Sequence, residues 1–187
     1  MARWTPHADE RLIKAAITLF DEQGYEATTV ADIASSAGLT KRTFFRYFSD
    51  KREVLFSGAQ ELELLWVRAL TEAPEDAGPV AAVMAGLDAV AEMFTERHAF
   101  AQIRARIIAA NPELQERELI KLERLASSGA SALEKRGANP SAAALAAQTG
   151  VRIFHLSFAR WITQDDPAAF RRLMHESMDE LRELLAR

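Results

Sequence analysis

Cysteine is absent, which excludes disulfide frameworks, thiol nucleophiles and cysteine-ligated zinc. Glycine and proline are scarce, 8 and 6 in 187 residues, too few for a loop-rich or low-complexity chain. No apolar run reaches the ~18 residues that a membrane-spanning helix needs, and the opening MARWTPHADE lacks the apolar stretch of a signal peptide. A cytoplasmic protein with no membrane partner is expected. The four histidines (His7, His98, His155, His175) are scattered. No pair has metal-ligand spacing, and no glycine-rich phosphate loop occurs. No catalytic residue, metal site or cofactor is therefore expected.

What remains is 49% hydrophobic and 27% charged, rich in the helix formers Ala, Leu, Glu and Arg, and long enough for one or two modest domains. Apolar residues Leu12, Ile13, Ala16, Ile17 and Phe20 recur at helical spacing over 9–23, with Thr5 and Pro6 at the helix start and Gly24 at its end. Thr29 and Asp32 form an approximate capping box for a short helix over 30–37, which Gly38 stops. Thr40 caps a third helix through Phe48. Asp50 and Glu53 open a long fourth helix to about Leu70, with Leu55, Ala59, Leu62, Trp66 and Ala69 on one seam. After the loop APEDAGP (73–79), helical periodicity resumes over 80–97, 100–110, 113–135, 142–161 and 168–186. The fold class is all-α. Residues 1–50 are expected to form a three-helix domain, joined by the long fourth helix to a helical bundle within 51–187.

Charge is uneven. Residues 1–56 hold eight basic and eight acidic side chains, so the whole net charge of −4 lies beyond them, yet within 40–52 five basic residues face Asp50 alone. In a helix-turn-helix, one helix crosses the DNA backbone and the next enters the major groove after a tight turn. Here Ile33 and Ala34 face inward, Gly38 makes the turn, and Phe44 and Phe48 share an inner face at i, i+4. Lys41, Arg42, Phe45 and Arg46 fall on other faces. A merely solvated basic helix has little use for Phe45 among arginines, whereas a groove-facing helix sets apolar groups against thymine methyls and Arg or Lys against guanine. The hydroxyls of Thr40 and Tyr47 and the Lys51 ammonium are placed to meet phosphates.

The stretch AAITLFDEQGYEATTVADIASSAGLTKRTFFRYFSDKREVLF resembles the DNA-binding domain of the TetR (tetracycline repressor) family of bacterial transcriptional regulators. The match rests on Phe20, Gly24-Tyr25, Thr28-Thr29-Val30, Ile33-Ala34, Ala37-Gly38-Leu39, the aromatic third helix and Lys51. The resemblance implies a sequence-specific regulator, by default a repressor, that a small molecule releases from a palindromic double-stranded operator. It implies that Thr29, Thr40, Tyr47 and Lys51, with Thr28 beside them, hold phosphates, while Lys41, Arg42, Thr43, Phe45 and Arg46 face the groove. Many members have Gly where this chain has Arg42, and an aliphatic residue or Tyr where it has Phe44 and Phe45.

The resemblance also implies that the second domain holds an effector and forms a homodimer through its last two helices. Ala146, Gly150, Ile153 and Ser157 on one helix, with Phe170, Leu173, Met174, Ser177, Met178 and Leu181 on the next, are the expected dimer interface. A largely apolar effector would meet Met84, Met93, Phe94, Phe100, Ile103, Ile107, Phe154, Phe158 and Trp161, with His98, Arg104 and Gln148 as polar anchors. A ligand that repositions the fourth helix would alter the spacing of the two recognition helices in the dimer. The alternatives are a DNA-binding helical protein without effector control, architectural or constitutive, and an all-helical enzyme, which the scattered histidines and the lack of a phosphate loop disfavour.

Overall fold

The computed structural model describes residues 7–186, and among these there are helices and turns but no strand. Nine α-helices follow one another: α1 (Ala8–Gln23), α2 (Val30–Ser36), α3 (Lys41–Tyr47), α4 (Ala59–Glu72), α5 (Pro79–Phe94), α6 (His98–Ala109), α7 (Pro112–Lys135), α8 (Pro140–Trp161) and α9 (Ala169–Leu185). Thr5 and Pro6, expected to start the first helix, lie outside the described residues.

The chain folds into two compact units. One takes the residues up to Gly58 together with Ile103–Glu116; the other takes Ala59–Gln102 and Arg117–Arg187. A single cut at residue 50 does not describe this division, because burial ties distant segments together. Val54, Leu55 and Phe56 share a core with Leu12, Phe20, Ile33 and Phe44 of α1 to α3, and with Ile107, Ile108 and Leu114.

The expected long fourth helix is interrupted. Asp50 caps as anticipated, its carboxylate accepting from the amides of Arg52 and Glu53 at 2.8 and 3.2 Å. What it caps is a short 3₁₀ turn, Glu53–Phe56, and α4 starts only at Ala59. The 3₁₀ turn buries three consecutive residues, Val54, Leu55 and Phe56, on more sides than one straight α-helical stripe could serve.

In the first unit α1 packs on α2 and α3, and α2 packs on α3. Thr29 and Asp32 form the full capping box at the start of α2. Gly38 turns the chain at φ 64°, a left-handed conformation that glycine adopts without cost. The Arg11 guanidinium donates to the Ala37 carbonyl at this turn, fixing α1 to the α2–α3 corner. In the second unit α4 lies on α5, α5 on α8 and α9, and α8 on α9. Phe94, Phe154, Phe158, Trp161 and Phe170 form one aromatic cluster there, with Trp161 and Phe170 stacked at 4.8 Å.

Candidate functional site

The third helix divides its aromatics as the wheel requires. Phe44 is fully buried and touches Phe48 at 5.5 Å between ring centroids, while the adjacent Phe45 is 56% exposed. Exposed with it are Lys41, Arg42, Arg46 and Tyr47, and Thr43 is half-buried. Thr40 starts α3: its hydroxyl accepts from the Thr43 amide at 3.2 Å and lies 3.0 Å from the Thr43 hydroxyl. The Arg46 guanidinium donates to the Tyr47 hydroxyl at 3.1 Å and lies over its ring at 4.9 Å, so this Arg–Tyr pair is held in one orientation. Within eight residues, from the cap Thr40 to Tyr47, an apolar ring, three cations and three hydroxyls emerge from one short helix and its cap. Such a surface can meet base edges, thymine methyls and phosphates together.

Three residues expected at phosphates stand differently from one another. Thr29 is exposed at the N-cap of α2, with its hydroxyl 2.6 Å from Asp32, whose carboxyl this bond holds below the usual carboxylate range. Thr28 is 1% exposed, and its hydroxyl donates to the Gly24 carbonyl at 2.9 Å. It is a buried tie between the end of α1 and the start of α2, its hydroxyl engaged by backbone carbonyls. The Lys51 ammonium donates to the carbonyls of Tyr25, Glu26 and Thr28 at 2.8, 3.4 and 3.3 Å and sits 4.1 Å above the Tyr25 ring. Its three protons are thus engaged by the turn between α1 and α2, and Lys51 is a brace for that turn where a free phosphate contact was expected.

Two residues at this end have structural roles that the sequence does not announce. Arg11 holds the α2–α3 corner, as described above. Tyr25 is buried beside Glu113; burial first, and then that carboxylate, push its pKa far above the usual phenol value. The Gly24-Tyr25 pair was visible in the sequence, but nothing there linked it to Glu113, which is 88 positions away.

The expected effector residues divide between the two units. Ile103, Arg104 and Ile107 belong to the first unit. There the Arg104 side chain donates to the Leu55 carbonyl at 2.7 Å and lies over the Phe56 ring at 5.0 Å. Gln148 is exposed and donates to Glu123 at 3.2 Å. Phe100 is exposed, and Met84 and Met93 are half-buried. Phe94, Phe154, Phe158 and Trp161 do assemble, yet as the packed aromatic cluster itself. His98 is buried against this cluster, 4.5 Å from the Trp161 ring, with Nε2 3.2 Å from the Trp161 carbonyl. His155 is half-buried in α8, and its Nδ1 has no hydrogen-bond partner. A small void in this core, of about 10 Å³, is bordered by Trp66, Leu87, Val90, Leu125, Val151 and Phe154. That is room for about one water. Ring faces closing on one another, rather than polar anchors, decide how these residues are placed.

The expected dimer residues are likewise mostly internal. Ala146, Gly150, Ile153, Ser157, Phe170, Leu173, Met174, Ser177 and Met178 are buried within the one chain. Ser157 donates to the Leu173 carbonyl at 3.1 Å and meets Ser177 at 3.0 Å, joining α8 to α9. The small residues serve that close intramolecular crossing. The open face lies about one helical step around. An apolar groove of about 890 Å³ runs along α8 and α9 past Thr149, Arg152, Leu156, Ala159, Leu181 and Leu184. Leu156 is 53% exposed, and Leu145 and Leu185 are more so. Of the expected set, Ile153, Ser177 and Leu181 border this groove.

Among the described residues no group of three or more metal-ligating side chains occurs, and no helix is long and apolar enough to cross a membrane.

Residues 12–57 match the sequence model for bacterial regulatory proteins of the tetR family. The HTH-type transcriptional regulator TcmR of Streptomyces glaucescens is 37% identical over 81 residues, which are 43% of this chain and 36% of TcmR. The chain thus spans little more than a third of that relative. Among solved structures, a TetR-family transcriptional regulator of Syntrophomonas wolfei aligns over 94% of both chains at a TM-score of 0.70 and 16% identity. FadR of Thermus thermophilus, a TetR-family transcriptional repressor in complex with lauroyl-CoA, aligns over 95% of this chain and 93% of its own at a TM-score of 0.57 and 26% identity. The relatives found by sequence are transcriptional regulators, and the shared fold extends well past the matched segment.

Proposed function

Since the chain belongs to the TetR family of bacterial regulatory proteins, we propose that it is a cytoplasmic, sequence-specific DNA-binding transcriptional regulator, a repressor that leaves a palindromic operator when a largely apolar small molecule binds its second unit. The observation that carries this reading is the α3 surface, where exposed Phe45 stands among Lys41, Arg42 and Arg46 while Phe44 beside it is fully buried. Lys41, Arg42, Phe45 and Arg46, with Thr43 among them, face the groove; Thr29, Thr40 and Tyr47 meet phosphates. No catalytic role is assigned to any residue.

A homodimer supplies two such helices to the two halves of an inverted repeat. The proposed interface is the α8–α9 groove with Leu156, Leu181 and Leu184, since these apolar side chains are open in the single chain. Effector control is supported by the Thermus repressor of related fold, which holds an acyl-CoA. By linkage, an effector that weakens operator binding is itself bound more weakly by the operator complex, by the same factor. The closed core, with its void of about 10 Å³, favours a second reading, a constitutive DNA-binding protein without effector.

Equilibrium binding to an operator and its single-base variants separates the roles on α3. Arg42→Ala should relax discrimination at one position of each half-site by about 1–3 kcal/mol, while Tyr47→Phe should weaken binding to all variants alike. If neither change altered affinity, α3 would not be the reading element.

A further inference from the structure

The core of the second unit is built around one tryptophan. Trp66 of α4 is 1% exposed, and each of three other helices sets a glycine against its ring. A Cβ at Gly86 of α5 would lie 2.6 Å from Cζ3, and one at Gly150 of α8 would meet Val83 Cγ1 first, at 2.5 Å, with Trp66 Cη2 next at 3.2 Å. A Cβ at Gly129 of α7 would collide with Nε1 itself. All three glycines are interior to helices, where glycine is a poorer choice than alanine.

The ring's polar atom gains nothing in return. Trp66 Nε1 is buried with no hydrogen-bond partner, whereas buried tryptophans ordinarily find one. Trp161 in the same core does so, donating to the Pro167 carbonyl at 3.1 Å. Packing alone would be served by a residue without an orphaned donor, and by alanine at the three glycines. Departures from local preference gathered on one side chain point to function. Beside the ring lies the void bordered by Leu87, Val90, Leu125, Val151 and Phe154.

We propose that Trp66 is a built-in occupant of a ligand slot, and that when its side chain swings aside the slot receives a flat, uncharged aromatic molecule of about two fused rings. Shape sets the first part of this class: faces without Cβ on α5, α7 and α8 fit a planar bicycle, as they fit indole. Charge sets the second part. Leu70, Val83 and the side chains around the void are all apolar, so a buried anion would have no counter-charge. The displaced Nε1–H leaves a place where it has no partner, which lowers the cost of opening. This deepens the effector reading above and rests on it for the consequence at the operator, though not for binding itself.

The test uses the full chain labelled with 15N, in which the Trp66 indole N–H resonance is assigned by its loss in Trp66→Phe. Unlabelled indole, indole-3-carboxylate and hexan-1-ol are titrated in turn, with calorimetry in parallel. Indole is expected to shift the Trp66 resonance and to speed its solvent exchange at least about tenfold. The carboxylate and the alcohol should bind at least about tenfold more weakly. Trp66→Ala, which needs no displacement, should bind indole at least about tenfold more tightly than the native chain. A Trp66 resonance that stays fixed up to the solubility limit of indole, or carboxylate binding as tight as that of indole, would overturn the proposal. Where Trp66→Ala does not fold, the native titration alone decides. Operator binding is measured separately. A specific operator with no indole response sinks the slot and leaves the regulator; an indole response without any operator does the reverse.

Discussion

Phe44 and Phe45 are neighbours in sequence with opposite surroundings, and truncating each to alanine should give opposite phenotypes. Phe44 is fully buried in the first unit's core between Phe45 and Phe48. Phe44→Ala should therefore cost about 3–5 kcal/mol. That is a large part of the whole stability of a small domain, and it should be seen as a lower thermal midpoint. Phe45 is 56% exposed, so Phe45→Ala should cost only its edge contact with Phe44 at 5.5 Å, about 1 kcal/mol or less. On DNA the order reverses. A phenylalanine buries roughly 150–250 Å² when covered, and the 56% still open here is about 110 Å² of a mid-range value. At about 25 cal/mol per Å², covering it stabilises the complex by at most about 2–3 kcal/mol per protomer. Operator affinity of Phe45→Ala, measured by fluorescence anisotropy at fixed salt, should fall by at least tenfold while the circular-dichroism melt barely moves. A Phe45→Ala chain that melts early but binds operator normally would refute the placement of α3.

Lys51→Met should destabilise the first unit by about 1–3 kcal/mol in chemical denaturation, because three carbonyls of the α1–α2 turn lose a charged donor. It should leave the salt dependence of operator binding unchanged, since no phosphate contact is lost. The Asp50 carboxyl is held below its usual pKa by the Arg52 side chain first and by backbone amides second. Its contribution is then fully present above about pH 4 and is lost as pH falls through the lower folded value. Asp50→Asn should lower the midpoint at pH 7 by an amount worth under about 1 kcal/mol, given its exposure, and flatten the acid limb of a stability–pH profile. Leu156→Glu places a charge in the open α8–α9 groove and should turn a dimer into a monomer in sedimentation without lowering secondary structure; a dimer that persists would exclude this face.

Several helix boundaries were legible in the sequence where a cap or a glycine marked them. Thr29 with Asp32, Thr40, and Gly38 all stand where their chemistry requires. The break before α4 was not legible, because Val54, Leu55 and Phe56 suit a helical stripe as well as a 3₁₀ turn, and only tertiary burial decides between them. At the candidate DNA surface, exposure of Phe45 and burial of Phe44 followed from i, i+4 spacing alone. Lys51 and Thr28 could not be placed that way, since their partners are backbone carbonyls brought near by the turn after α1. In the bundle, the small and apolar residues of α8 have the same pattern whether they meet a second chain or α9, and here they meet α9. The sequence alone places Trp66 on a helical seam. Its three glycines lie 20, 63 and 84 positions away, a relation that only the fold reveals.

The most direct test of the central reading is selection of bound duplexes from a randomised pool by the purified chain at moderate salt, followed by sequencing. An enriched inverted repeat, with half-sites at one fixed spacing, is the predicted result, and its loss from the selection on Phe45→Ala would tie it to α3. A folded helical chain that enriches no sequence would contradict the account.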